Sequence, residues 1–209
     1  MPIADYSGDT FVAFTDISGF KELMKKDTDA LEAIRHFYQT GYNVLRDSEH
    51  VEGFFVSDCG ILFARNGNPE EMLGAILNAV KKINQIMIGR NYLLTTSIAF
   101  GHFDYQGKIE FQGIEKNPIY GGAYVQAFLD NETGKPRIQP GQCRILKKNL
   151  PEINENNFPL LVKRGNNTQH LYFYWSLEET NQIQEFERKY RDSYSLKFSG
   201  MINALKSNE

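Results

Sequence analysis

The first apolar run of the chain is Phe11-Val12-Ala13-Phe14, followed by Thr15 and then Asp16. An apolar run ended by a charge and by the Ser18-Gly19 break predicts a buried strand. From Phe20, Leu23 and Met24 the spacing turns helical. It stays so over residues 29–46, with Leu31, Ile34, Phe37, Tyr38 and Val44 on one side. Two short apolar runs, 54–56 and 61–64, flank Ser57-Asp58-Cys59-Gly60 and predict a β-hairpin. Beyond the loop Asn66-Gly67-Asn68-Pro69, a second long helix is expected over residues 70–87. Met72, Ile76, Ala79, Val80, Ile83 and Met87 recur there at helical spacing. Residues 93–103 alternate as a strand, and residues 104–107 predict a turn. Gly121-Gly122 opens a third helix over residues 123–131. Residues 136–145 read as extended, 158–162 and 171–175 as late strands, and 178–206 as an amphipathic helix.

Strand, helix, hairpin, helix, strand, turn, helix, strand is not the strict alternation of a doubly wound fold. The order predicts an α+β fold: a ferredoxin-like, palm-type mixed sheet with helices on one face, extended by C-terminal strands and a helix. Residues 1–150 form the expected catalytic core. Residues 151–209 form an extension packed on the same domain.

Composition narrows the chemistry. The 209 residues carry a net charge of −3 and 41% apolar side chains, enough for one cored domain and without the basic surface that nucleic acid demands. An anionic ligand must therefore be met locally, by metal ions or backbone N–H groups. Two cysteines, Cys59 and Cys143, form no CxxC pair and no disulfide framework, which suits a reducing cytoplasm. No basic leader precedes an apolar stretch and no run approaches ~20 apolar residues, so neither export nor a membrane span is expected. The four histidines are scattered, without the pairing a zinc site needs.

Two carboxylates carry the candidate chemistry. Asp16 ends the first strand and Asp58 lies in the hairpin turn. Taken singly, Asp16 reads as a helix cap and Asp58 as a turn residue. Together, on neighbouring strands, they would project from one sheet edge. Mg²⁺ takes oxygen ligands, usually one or two carboxylates plus phosphate and water. Two such ions, roughly 3.5–4 Å apart, can serve the attacking and the leaving oxygen. The Ser18-Gly19 turn opening a helix offers N–H groups to a phosphate.

The segment FVAFTDISGF resembles the first metal motif of class III adenylate and guanylate cyclases, and VSDCGILFA resembles their second. In the second, Ser57 stands where those enzymes usually have Gly. IYGGAYVQAFLDN resembles their glycine-led late helix. The resemblance spans Phe11 to Ile145, about two-thirds of the chain. It implies two Mg²⁺ or Mn²⁺ ions held by Asp16, Asp58 and the Ile17 carbonyl, with Ser18, Gly19 and Phe20 covering the phosphates. It also implies a head-to-tail homodimer with interfacial sites.

The departures lie in the purine-reading half. A base-reading Lys position is Phe54, and the Asp or Thr position before the late helix is Ile119. The ribose-orienting Asn becomes Gln126, and the transition-state Arg becomes Asp130. GGAYVQAFLDNETGKPRI resembles the pyrimidine cyclases of bacterial antiphage Pycsar systems, through Gly121, Ala123, Ala127, Phe128 and Pro136-Arg137-Ile138. That resemblance implies conversion of UTP or CTP to the 3′,5′-cyclic monophosphate, as a signal to a separate effector protein. No Arg occurs in Thr95-Thr96-Ser97, where that family's pattern allows one.

Single residues refine the picture. Phe54 and Phe55 face opposite sides of their strand, one in the core and one free to wall a base pocket. Arg137 is the candidate replacement for the missing transition-state Arg. Tyr124 and Gln126 lie about 200° apart on their helix, so Gln126 is expected at the ribose and Tyr124 in dimer packing. Cys59 reads as a small buried residue, with nothing nearby to activate a thiol. The competing readings are a purine cyclase with unusual base contacts and a catalytically silent nucleotide- or partner-binding module.

Overall fold

Twelve residues at the start of the fold set its plan. In β1 (Tyr6–Ile17), Phe11, Ala13 and Ile17 enter one apolar cluster, while Val12 and Phe14 enter another on the opposite face. This is the period-2 alternation of a strand covered on both sides. The computed structural model describes residues 3–106, 109–111, 114–116, 118–194 and 205–206.

After β1 come the single turn α1 (Phe20–Leu23), α2 (Asp27–Arg46), β2 (Val51–Val56), β3 (Cys59–Ala64) and α3 (Pro69–Gly89). There follow β4 (Leu94–Tyr105), β5 (Ile109–Phe111), β6 (Ile114–Lys116), β7 (Ile119–Tyr120) and α4 (Gly122–Thr133). The chain continues through β8 (Cys143–Leu146), β9 (Leu161–Val162), β10 (His170–Phe173) and α5 (Ile183–Tyr194). The main sheet runs β2-β3-β1-β4-β8-β10-β9, with β7 also on β4; β5 and β6 pair separately. The β4–β8 pair is parallel and its neighbours in this sheet are antiparallel. It is the mixed α+β sheet expected from the element order.

The long helices α2 and α3 share one face of the sheet. Phe37 and Val44 of α2 and Leu73, Ile76, Val80, Ile83 and Met87 of α3 join Phe11, Ala13 and Ile17 there. Asn68 starts α3: its side chain accepts from the Glu70 and Glu71 N–H groups, and Glu71 answers the Asn68 N–H at 2.9 Å, with Pro69 first in the helix. The shorter α4 takes the opposite face, where Ala123 and Ala127 pack with Val12, Phe14, Ala99 and Phe103.

Gly121 makes that packing possible. Its φ of 127° excludes most side chains, and a Cβ would stand 2.3 Å from the His102 carbonyl oxygen. β10 pairs with β8, and Leu171, Tyr172, Tyr174, Trp175, Leu177, Phe186 and Tyr190 share the core of α2 and α3.

Several boundaries differ from the sequence reading. β4 runs through Asp104 and Tyr105, which were expected to turn, because both pair with β7. Residues 134–142 form a loop, and only 143–145 of the expected extended segment are strand, with β8 running on to Leu146. Phe158 closes a 3₁₀ turn, leaving just Leu161–Val162 as β9. The expected tail helix is seen as α5 and at residues 205–206; residues 195–204 lie outside the described residues.

The far end of the β1–β4 ribbon curls over the α4 face. Tyr6 opposes Tyr105, and Val12 opposes Phe63. Along a straight strand Tyr6 and Val12 would be about 20 Å apart. Yet the Tyr6 and Phe63 rings are 5.3 Å apart, and Tyr105 lies 6.1 Å from Phe63 and 5.7 Å from Phe54.

Candidate functional site

The two carboxylates meet because a strand end is tied to a hairpin tip. Asp16 opposes Cys59 across β1–β3, and the Ile17 N–H donates to the Asp58 carbonyl oxygen at 3.1 Å. The β2–β3 turn has only Ser57 and Asp58 between the paired Val56 and Cys59. Ser57 has φ 56°, a conformation costly for a residue with a Cβ and suited to Gly at the first position of such a turn. That accounts for glycine as the usual residue there in the family the sequence resembles.

Ligand atoms of Asp16, Asp58 and Cys59 all lie within 4.8 Å of one another. Burial, then the nearby Asp58 charge, raises the Asp16 carboxyl to about 7. The Cys59 thiol donates to Asp16 Oδ1 at 3.3 Å, and burial followed by the Asp16 charge pushes its own pKa up. A pair of carboxylates this close, one of them with its proton affinity raised by burial and repulsion, is a donor set that a divalent cation relieves. The buried Ser18 hydroxyl, two residues beyond Asp16, has no hydrogen-bond partner. The residues present therefore fit a divalent cation, with oxygen donors suited to Mg²⁺ or Mn²⁺.

The phosphate turn is less open than the sequence suggested. The Ser18 N–H donates to the Leu93 carbonyl oxygen at 2.8 Å, because β1–β4 pairing persists one residue past Ile17. What remains of the expected cradle is Gly19, at φ 77° as the N-cap of the four-residue α1, together with Phe20.

The two positions expected to face the base, Phe54 and Ile119, lie on one side of the sheet. Phe54, Ile61 and Phe14 form one row across β2, β3 and β1, two residues behind Asp16 on the same face. Phe54 and Ile119 both pack against the α4-side cluster, as do Cys59 and Tyr124. Ile119 opposes Tyr105, whose ring meets Phe54. Phe55 is the core member of the pair, 5.0 Å from Phe37.

Helix α4 presents Tyr124 and Gln126 on different flanks. Phe128 meets Phe14 edge-on at 5.3 Å, and Tyr124 stacks on Phe128 at 6.4 Å. Tyr124 thus faces the carboxylate side. Gln126 lies one turn before Asp130, on the flank toward β8 and β10, with its Oε1 buried and unpartnered. Arg137 is exposed in the loop between α4 and β8.

Asp130 is the feature that sequence reading missed. It holds a fully buried Arg144 through Nε at 2.8 Å and Nη2 at 2.9 Å, accepts from Ser97 Oγ at 2.8 Å, and lies 2.8 Å from His170 Nε2. The Arg144 Nη2 also donates to the Asp130 carbonyl oxygen. Next to it, Thr95 Oγ1 donates to Asn131 Oδ1 at 3.1 Å. Burial pushes the Asp130 carboxyl up, but His170, Arg144 and Ser97 together hold it below the usual carboxylate range. The available signal was a charge at an inward position of each of two elements: Asp130 three residues after Ala127, and Arg144 between Cys143 and Ile145.

Among the described residues, no helix is long and apolar enough to cross a membrane. An open cleft of about 600 Å³ lies between the end of α2 and α3 and includes none of these site residues.

No protein-family model matches the chain, and no curated protein matches it. Solved structures do. The adenylyl cyclase CyaB from P. aeruginosa aligns over 81% of this chain and 94% of its own, with 13% identity and a TM-score of 0.54. The guanylate cyclase domain of RhGC from Catenaria anguillulae, in complex with GTP, aligns over 81% and 97%, with 14% identity and a TM-score of 0.58. A class III adenylyl cyclase-like ATP-binding protein from Pseudomonas aeruginosa aligns over 70% of this chain, with 14% identity and a TM-score of 0.51; the chain spans 35% of that one. The chain has the fold of a class III cyclase catalytic domain.

Proposed function

We propose that the protein is a metal-dependent nucleotide cyclase that converts a pyrimidine nucleoside triphosphate, UTP or CTP, to its 3′,5′-cyclic monophosphate and pyrophosphate. The observation that supports the metal-dependent cyclase chemistry is the meeting of Asp16 and Asp58 within 4.8 Å, at the strand end and hairpin tip of a cyclase fold; the pyrimidine preference rests on the apolar Phe54 and Ile119 in place of purine-reading polar groups. In the reaction the ribose 3′-oxygen forms a bond to the α-phosphorus. The bond to the β-phosphate oxygen breaks, and the hydroxyl proton leaves to solvent.

Asp16, Asp58 and the Ile17 carbonyl would hold two Mg²⁺ or Mn²⁺ ions. Such ions lower the proton affinity of the 3′-hydroxyl and neutralise charge on the phosphates. The protein's own part is positioning and electrostatics. Asp16 gives up its proton when a cation binds. Gly19 and Phe20 present backbone to the phosphates, beside the Ser18 hydroxyl. Phe54 and Ile119 wall the base without donating or accepting a hydrogen bond. Gln126 is assigned to the ribose and Arg137 to charge developing on the phosphate.

A head-to-tail homodimer belongs to this reading. Tyr120, Val125, Phe128 and Leu129 are 50%, 46%, 38% and 49% exposed around α4, an apolar face suited to a second copy. The product would act on a separate effector, as an antiphage signal.

A purine cyclase is the second reading, favoured by the adenylyl and guanylyl cyclases among the similar structures. Incubation with ATP, GTP, CTP and UTP in turn, with Mn²⁺, followed by mass spectrometry of the products, separates them. Cyclic UMP or cyclic CMP is expected. Cyclic AMP or cyclic GMP would establish the purine reading, and no product from any triphosphate would leave a silent nucleotide-binding module.

A further inference from the structure

We infer that Tyr38 of α2 is a positioning residue for the metal site, its hydroxyl holding the backbone of the β2–β3 turn so that the Asp58 carboxylate stays beside Asp16. This rests on the reading that Asp16 and Asp58 hold divalent cations. It does not depend on which base is preferred or on the dimer.

A two-residue turn is by itself a poor support for a metal ligand. Only Ser57 and Asp58 lie between the paired Val56 and Cys59. Ser57 stands at φ 56°, a conformation that a residue with a Cβ keeps only when its surroundings hold it there. Val56 and Ser57 are both exposed, so burial of their side chains does not hold the tip. Its backbone must be tied instead. One tie comes from β1, where the Ile17 N–H donates to the Asp58 carbonyl oxygen at 3.1 Å. A single bond fixes a point and leaves the tip free to turn about it.

The second tie comes from α2. Phe55, two residues before Ser57, sends its ring to that helix. Phe37 meets it edge-on at 5.0 Å, Tyr42 edge-on at 5.3 Å, and Tyr38 at 5.7 Å. Gly41 of α2 and Gly60 of β3 make the room, since a Cβ on either would run into the Phe55 ring. This seat brings Tyr38 under the hairpin, where its hydroxyl is hydrogen-bonded to the Ser57 backbone. Burial raises the Tyr38 phenol, and the Ser57 contact pulls the other way. A contact that lowers a phenol's pKa is one that donates to its oxygen, which identifies the Ser57 N–H as the donor. The two ties therefore bracket Asp58: α2 holds the N–H just before it, and β1 holds its own carbonyl. Groups that orient a metal ligand from behind typically matter by about 10–100-fold in metal affinity. Tyr38 acts here through the backbone and touches no reacting atom.

The test uses the full chain and Mn²⁺ alone, with the free ion followed by its electron paramagnetic resonance signal. The wild type compared with Asp58→Asn tests the metal reading itself. Tyr38→Phe keeps the ring against Phe55 and loses only the hydroxyl. It should bind Mn²⁺ about tenfold more weakly than the wild type. Its metal-free melting temperature should fall by no more than about 4 °C, because the exposed Ser57 N–H can turn to water. Tyr42→Phe, which removes a hydroxyl from the same aromatic group one turn along α2, should bind Mn²⁺ as the wild type does. The inference is overturned if Tyr38→Phe keeps wild-type affinity, or if Tyr42→Phe loses as much. A wild type that binds Mn²⁺ no better than Asp58→Asn would sink the metal reading, and this inference with it.

Discussion

Asp16 and Asp130 lie on the same face of one sheet, Asp16 half-buried and Asp130 buried, and their surroundings treat them in opposite ways. Asp16 has a weak thiol donor and a neighbouring carboxylate, and its carboxyl is raised to about 7. Asp130 has a guanidinium, a hydroxyl and an imidazole within 2.9 Å, and its carboxyl is lowered. A buried charge must be paired or it neutralises itself. Asp130 is paired by the protein. Asp16 is left for something the protein does not supply. That difference separates a fastening, which joins α4 to β4, β8 and β10, from a binding site. It also gives the Asp130 position a purpose: the Arg expected there from the cyclase pattern is absent, and an acid takes its place as the partner of Arg144.

The comparison can be broken most forcefully at Asp130. Replacing it with Ala strands a fully buried guanidinium, and the loss should be about 3–5 kcal/mol, a fall in melting temperature of about 10 °C or more. Thermal denaturation checks this; an unchanged melting temperature would mean that the fastening is not structural. Asp16→Asn should do the reverse. Turnover of the preferred triphosphate should fall about 1,000-fold, the scale of several kcal/mol of metal-borne stabilisation, while the metal-free melting temperature holds or rises. Activity near wild type in this variant would remove Asp16 from the site.

The pH dependence sharpens the contrast further. A carboxyl raised from 3.8 to about 7 in the folded state favours folding most below pH 4. That contribution is lost as pH rises through 7, because the unfolded chain then binds fewer protons than the folded one. Metal-free protein should therefore melt about 2–4 °C lower above pH 7 than near pH 4 on account of Asp16, allowing for its partial contact with solvent. Asp16→Asn should flatten that slope, and Mn²⁺ should stabilise the wild type more at pH 8 than at pH 6. Asp130 has the opposite sign: its contribution is present above the usual carboxylate range and lost toward acid. The smallest effect is at the hairpin tip. Ser57→Gly removes a side chain at φ 56° and should stabilise the fold by less than about 1 kcal/mol, measurable by urea denaturation.

The parts that were legible in the chain are those with a period. The run around β1, the hairpin with Asp58 at its tip and the stripes of α2 and α3 could be read because alternation and helical spacing report burial directly. The convergence of Asp16 and Asp58 followed from that reading once β1 and β3 were neighbours. Three features were not legible, each for its own reason. The strands between residues 109 and 120 are two or three residues long, too short to show a period. The helical wheel placed Tyr124 and Gln126 on opposite sides, but only the docking of Ala123 and Ala127 on β1 and β4 decides which side meets Phe14. The Asp130–Arg144 pair joins residues on a helix and on a strand 14 positions apart, and no local pattern links them. The Ser18 N–H shows the same limit: a turn that looks free in sequence is bonded across the sheet to Leu93.

One strand has a bearing on how the molecule behaves in a crowd. The sheet ends at β9, and β9 is two residues long. Lys163 and Arg164 follow at once, and Arg164 is drawn inward by Glu187 at 2.6 Å. A sheet grows into a neighbouring molecule by offering a run of unpaired N–H and C=O groups, and short, charged margins withhold that template. At this margin the protein ends its own sheet before another chain can continue it, so concentrated preparations should resist fibril growth through β9.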